Sequence, residues 1–172
     1  MQIADYIRAI PDYPKPGIIF RDITPLLADG AAFRHTIDLL AERYRDQGVT
    51  KIVGIEARGF IFATALAYAM GIGFVPLRKP GKLPRKIVSQ AYALEYGEDT
   101  LELHAEDITA DDRVVVIDDL LATGGTILAA VEMLKKQQAT IIECAFVITL
   151  TDLPGADRLQ QAAIPHYTLC SF

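Results

Sequence analysis

The sequence predicts an α/β protein, a mainly parallel and twisted sheet flanked by helices. Three observations carry that prediction. Apolar runs rich in β-branched residues, such as residues 114–117, read as strands buried on both faces, which is how parallel strands sit. Helical patterns alternate with those runs at the spacing of βαβ units. The loops with polar and glycine residues fall after strands, on the carboxyl edge where open α/β sheets bind ligands.

Taken in order, residues 3–10 read as a short helix with Ile3, Ile7 and Ile10 on one side, ended by Pro11. Residues 13–27 hold several prolines and a glycine, which disfavours a regular helix or a central strand. The segment is nonetheless apolar, so it must lie against the core or form the wall of a ligand site. Residues 33–47 form an amphipathic helix, with Phe33, Ile37, Leu40, Ala41 and Tyr44 on one face and Gly48 at its end. Residues 51–55 are a buried strand, 60–70 an apolar helix stopped by Gly71, and 74–77 another strand.

Residues 88–96 alternate in polarity, Gly97-Glu98-Asp99 supplies a turn, and Leu101 and Leu103 begin a returning strand. This predicts a hairpin arm standing off the sheet. Residues 108–112 lead into the central strand. A helix over 125–137, a buried strand over 141–150, a weak helix over 156–163 and a short strand from His166 to Cys170 complete the chain. No repeat, low-complexity stretch or linker interrupts it, so residues 1–172 read as one domain.

Composition narrows the function classes. The chain has 172 residues, 51% hydrophobic and 23% charged, which describes a folded protein with a sizeable core. A net charge of −5 argues against a broad nucleic-acid surface, though not against a local basic pocket. Cys144 and Cys170 lie in apolar runs and read as small core residues in a reducing compartment. Two cysteines and three histidines make no zinc pattern. Neither a signal peptide nor an apolar run of membrane-spanning length is visible, so no membrane partner and a cytoplasmic location are expected.

The chemistry concentrates at three places. After the strand at 114–117 come Asp118 and Asp119, then Ala122-Thr123-Gly124-Gly125-Thr126, then a helix. A strand, a small-residue loop and a helix N-terminus form an anion site, because free N–H groups and the helix dipole converge there. Thr123 and Thr126 add hydroxyl donors. Two carboxylates beside a phosphate must face another part of its ligand, and ribose hydroxyls or Mg²⁺ suit them. There is no lysine after the glycines, so this is not a Walker A loop, nor is it a dinucleotide turn. The second place is Glu56-Ala57-Arg58-Gly59-Phe60, where Arg58 and Gly59 could hold a second anion, unless Arg58 simply pairs with Glu56. The third is residues 78–86, where five of nine residues are cationic, a solvated loop or a lid over an anionic substrate.

These stretches resemble a known family. Residues 114–126 resemble the phosphoribosyl pyrophosphate signature of type I phosphoribosyltransferases. Five motifs, in order from residue 13 to 126, are similar to those of the adenine phosphoribosyltransferase family. They are Pro-Lys-Pro-Gly-Ile-Ile-Phe-Arg-Asp-Ile-Thr-Pro, Glu-Ala-Arg-Gly-Phe, Arg-Lys-Pro-Gly-Lys-Leu-Pro, Tyr-Ala-Leu-Glu-Tyr-Gly and Asp-Asp-Leu-Leu-Ala-Thr-Gly-Gly-Thr. Ala57 stands where many members carry Ser, and residues 85–91 match least.

The resemblance implies the type I phosphoribosyltransferase fold, with a base-binding hood over about residues 1–30 and a hairpin lid over about residues 79–100. It implies an enzyme, a Mg²⁺-dependent glycosyltransferase of purine salvage that converts adenine and phosphoribosyl pyrophosphate to AMP and pyrophosphate. Phosphoribosyl pyrophosphate would be bound by Arg58, Gly59, Lys79, Lys82, Asp118, Asp119, Ala122, Thr123, Gly124, Gly125 and Thr126. Adenine would lie against Ile19, Phe20, Arg21 and Leu150, with Arg21 alternatively paired to Asp22. Glu95 would manage a purine-nitrogen proton, and Arg58, Asp118 and Asp119 would act on the charges of the reaction. Mg²⁺ would be held mostly by substrate oxygens and water, with Asp118 and Asp119 nearby. The family is usually homodimeric. A phosphoribosyltransferase for another purine, or a non-catalytic sensor of phosphoribosyl pyrophosphate, stand as alternatives.

Overall fold

The computed structural model describes residues 1–94 and 96–172. After a 3-10 turn at Ile3–Tyr6 come β1 (Arg8–Pro11), β2 (Ile19–Asp22), α1 (Thr24–Ala28), α2 (Gly30–Tyr44), β3 (Lys51–Ile55), α3 (Arg58–Met70) and β4 (Gly73–Leu77). The chain continues through β5 (Ile87–Ala93), β6 (Glu98–His104), β7 (Arg113–Leu121), α4 (Gly125–Lys136), β8 (Thr140–Thr149), α5 (Gly155–Gln161) and β9 (His166–Ser171).

The main sheet has the order β4-β3-β7-β8-β9, and every neighbouring pair in it is parallel. From β3 the chain winds outward to β4 in one direction and, through β7, to β8 and β9 in the other. The winding therefore reverses between β3 and β7, and the loops after those two strands splay apart at that point. A crevice at the carboxyl ends of the strands follows from the topology, and it is where such sheets take ligands.

Alternation along β7 divides the core. Val114 and Val116 pack with α4, α5 and the β5–β6 hairpin, while Val115 and Ile117 pack with α2 and α3. All four are at most 1% exposed, so the continuous apolar run has burial on both faces. Each such side chain contributes about 1.5–3 kcal/mol by leaving water. Cys144 is buried and Cys170 half-buried; both are free thiols, pushed by burial to about 12 and about 11. Thiols held protonated in that way are inert core groups.

Four sequence expectations change. Residues 3–10 are not one helix: after the 3-10 turn the chain extends as β1, because β2 offers it a full antiparallel ladder from Arg8↔Asp22 to Pro11↔Ile19. The proline-rich stretch does hold regular structure, since β2 needs only one partner and Pro25 sits in the first turn of α1, where its missing N–H costs nothing. Glu98 and Asp99 belong to β6 rather than to the turn. The helix expected at 33–47 begins at Gly30, capped by the Asp29 side chain accepting the Ala32 N–H at 2.9 Å, and ends at Tyr44.

The hairpin forms as expected, but its base is docked rather than free. Leu101 and Leu103 are fully buried in the core, and β6 bridges to Arg78 through paired main-chain hydrogen bonds with Glu102 of 2.9 and 2.8 Å. The tip is exposed, with Tyr96 88% accessible, as are Ser89, Ala91 and Ala93 along β5. Among the described residues, no helix is long and apolar enough to cross a membrane.

Candidate functional site

The β7–α4 connection makes the first pocket. Strand β7 runs on through Asp118 and Asp119 to Leu121, so both acids lie within the end of the strand rather than beyond it. Residues 122–124 then turn, with Gly124 at a φ of 87° as the N-cap of α4. A cavity of about 90 Å³ lies here, lined by Asp118, Leu120 and the whole 122–126 stretch, together with Phe146. The N–H groups of the first turn of α4 have no acceptor within the helix, and the positive end of the helix dipole opens on the same space. An anion of phosphate size is the complement of that arrangement.

The loop has a backstop that the sequence did not reveal. The Gly155 N–H donates to the Ala122 carbonyl at 2.9 Å, and Arg158 Nη1 donates to the Thr123 carbonyl at 2.7 Å. These bonds turn two carbonyls away from the anion. A Cβ on Gly155 would meet the Ala122 oxygen at 2.4 Å, so only glycine lets α5 come this close. Pro154-Gly155 looks like an ordinary turn in sequence, and nothing local links it to residue 122.

The two acids differ in surroundings. Asp118 is half-buried in the wall of the first pocket, its Oδ1 accepting the Asp119 N–H at 2.9 Å. Burial, and then the neighbouring Asp119 charge, raise its carboxyl well above the usual carboxylate range. Gly59 is the reason α3 can begin against it, since a Cβ there would sit 2.9 Å from Asp118 Oδ1. Asp119, 6% exposed, is ion-paired with Arg58 through both Nε and Nη2. Pairing of Arg58 with Glu56 is therefore not what forms. Glu56 takes Arg78 at 2.8 Å and Lys82 at 3.0 Å, and these bonds outweigh its burial and hold its carboxyl below the usual value.

The second pocket lies beside the first. A cavity of about 230 Å³ is lined by Ile18, Ile19, Phe20, Arg21, Arg58, Leu120 and Leu150. It gathers all four residues expected to contact a base, from two segments 130 residues apart, and adds Ile18, Leu120 and Arg58. Its walls are apolar: Phe20 is braced edge-on by Tyr13 at 5.2 Å, and the Arg58 guanidinium lies 5.3 Å from the Phe20 ring. Leu120 lines both cavities, so the two lie side by side at the end of β7. Asp22 does not take Arg21; it accepts the Thr24 N–H at 2.9 Å, and that bond keeps its carboxyl below the usual value.

The cationic stretch after β4 is engaged within the protein. Lys79 bonds Tyr92 at 2.9 Å and is ion-paired with Asp99, which outweighs burial and raises its ammonium above the usual value. Lys82 sits on Glu56 at the β3–α3 loop. Arg85 is held by Asp107 at 2.8 Å and by His104 at the base of the hairpin. Glu95 lies outside the described residues. Among the described residues, no three His, Cys, Asp or Glu side chains converge as a ready-made metal cage.

Comparison with known proteins agrees with this geometry. The family model described as phosphoribosyl transferase domain matches residues 22–163. The adenine phosphoribosyltransferase of Idiomarina loihiensis is 59% identical over 170 residues, covering 99% of this chain and 96% of that one. The crystal structure of adenine phosphoribosyltransferase from Thermoanaerobacter pseudethanolicus superposes with a TM-score of 0.93 at 45% identity, covering 99% of this chain and 98% of that one. The Saccharomyces cerevisiae enzyme, crystallised with an imino-altritol bisphosphate and adenine, has a TM-score of 0.91 at 37% identity, covering 98% and 96%.

Proposed function

Because the chain belongs to the phosphoribosyl transferase family, and within it to the adenine phosphoribosyltransferases, we propose that the adjoining cavities at the end of β7 are where it binds and turns over its substrates. The reaction transfers the 5-phosphoribosyl group of phosphoribosyl pyrophosphate to adenine, giving AMP and pyrophosphate, a step of purine salvage. The observation that carries the assignment is the shared Leu120 wall. It sets an anion pocket with Asp118 in its wall beside an apolar slot walled by Arg58, the partner of Asp119, which suits a ligand ordered phosphate, ribose, base.

In this reading the 122–126 loop holds the 5′-phosphate and Asp118 and Asp119 face the ribose hydroxyls. Positive charge developing at the anomeric carbon is stabilised by the fixed carboxylates. Arg58 exchanges Asp119 for the departing pyrophosphate, which frees Asp119 for the sugar; Lys79 and Lys82 make the same exchange from Asp99 and Glu56. Mg²⁺ would be held mostly by substrate oxygens and water, with Asp118 and Asp119 as the hard oxygen donors nearby. When bound, the metal neutralises pyrophosphate charge. The hairpin, closing over the site, keeps water from the reactive carbon.

Adenine lies between Phe20 and Leu150. Its amine donor and adjacent ring acceptor complement a C=O and an N–H on one extended segment, the roles given to Ile19 and Arg21. Two residues apart on β2, their main-chain groups share one strand edge. A 6-oxopurine presents the reverse donor and acceptor. Glu95 takes the proton that adenine loses on forming the glycosidic bond, a role carried over from the Leu-Glu-Tyr-Gly motif. A cytoplasmic location and a homodimer complete the proposal. The exposed apolar residues Leu39, Ile61 and Tyr68 on α2 and α3 offer a surface for self-association, which sedimentation at micromolar concentration checks.

The test is transfer activity with Mg²⁺, phosphoribosyl pyrophosphate and, separately, adenine, hypoxanthine, guanine and xanthine. AMP from adenine alone is expected. Turnover of a 6-oxopurine would overturn the base assignment while leaving the phosphate loop standing. Glu95→Gln should lower kcat for adenine by roughly 10²-fold.

A further inference from the structure

We propose that Phe172 is a positioning residue for adenine, tying the two walls of the base cavity to each other. The inference rests on assigning the 230 Å³ cavity to adenine. Its walls come from β2 and from the residues after β8, which meet only in the folded chain. Phe172 follows β9, and its main chain brackets Leu150. Its N–H donates to the Thr149 carbonyl at 3.0 Å, and its main-chain oxygen accepts the Thr151 N–H at 2.7 Å and the Thr151 hydroxyl at 2.9 Å.

The side chain reaches the other wall. The Arg21 guanidinium carbon lies 4.3 Å from the centre of the Phe172 ring. Among the described residues, Arg21 Nε is buried and finds no hydrogen-bond partner. The face of the ring is therefore what meets the guanidinium on the side where Nε is cut off from water, an interaction that strengthens as water is excluded. With Arg21 pinned, the short β2 strand beside Phe20 has a fixed position relative to Leu150. Phe172 is not among the residues lining the cavity, so it acts through Arg21 and Leu150 rather than on the base.

The experiment is steady-state kinetics on Phe172→Ala, Phe172→Tyr and Phe20→Ala, with adenine affinity measured separately by calorimetry. Phe172→Ala keeps the main-chain bonds and removes the ring. It should raise KM for adenine about tenfold, while kcat and KM for phosphoribosyl pyrophosphate stay near the parent values. Phe172→Tyr, which keeps a ring face, should restore adenine KM. If Phe172→Ala leaves adenine KM and affinity unchanged while Phe20→Ala raises KM, the inference is wrong and the cavity assignment stands. If Phe20→Ala also has no effect, the cavity assignment itself fails, and the inference with it. Equal loss toward both substrates, with a lower melting temperature and no rescue by Tyr, would show a merely structural role and overturn the inference. Should Phe172→Ala not fold, Phe172→Leu keeps the bulk, removes the ring face and carries the same expectations.

Discussion

Asp118 illustrates at the residue scale how a site is maintained against stability. Its carboxyl lies close to Gly59 at the start of α3 and beside Asp119, and burial raises its pKa in the folded chain above the ordinary value of 3.8. A raised acid favours folding below the unfolded pKa and loses that advantage as pH rises through the folded one. Asp118→Asn should therefore melt at a higher temperature than the parent at neutral pH, with the difference vanishing below about pH 4. Asn can still accept the Asp119 N–H. The same change should reduce kcat by roughly 10²-fold, since a charge aimed at the sugar is lost. Melting curves across pH and a transfer assay check both. A variant less stable than the parent at neutral pH would show that the carboxylate is better accommodated than its burial implies.

At the element scale the phosphate loop depends on α5, seven residues that read as a weak helix. Gly155 and Arg158 hold the carbonyls of Ala122 and Thr123 outward, so the loop presents N–H groups to an anion. Gly155→Ala forces a Cβ to within 2.4 Å of the Ala122 oxygen unless the loop moves. It should cost about 1–3 kcal/mol of stability and raise KM for phosphoribosyl pyrophosphate several-fold. KM for adenine should hardly change. A rise for adenine alone would contradict this division of labour. The hairpin shows the reverse case. Its pairing is legible from alternation along residues 88–96, yet Leu101 and Leu103 bind its base into the core, which leaves the tip exposed.

At the scale of the whole molecule, ligand binding and folding share the same strand ends. A ligand that joins the 122–126 loop to the wall at residues 18–21 links elements that pack on opposite faces of the sheet. AMP at a hundredfold excess over its Kd should add about 2.7 kcal/mol. That is a rise in Tm of roughly 5–10 °C for a chain of this length. GMP should give a smaller shift; an equal or larger one would count against the adenine slot.

The sequence by itself determined the sheet, the helices after each buried strand, and the loops that carry the chemistry. Those are local properties: β-branched runs, 3.6-residue periodicity, and glycines with hydroxyls at a helix start. It also grouped Ile19, Phe20, Arg21 and Leu150, through family motifs rather than pattern, and the four line one cavity. Only the tertiary structure decided that residues 8–11 extend as a strand, because the partner that makes extension favourable lies eleven residues on at Ile19–Asp22. It alone paired Arg58 with Asp119 instead of Glu56, since residues 61 positions apart meet at the point where the winding reverses. Gly155, Arg158 and Phe172 acquire their roles in the same way. Their partners are distant in sequence, and a hydrogen bond or a ring face at a few ångströms leaves no periodic trace in the chain.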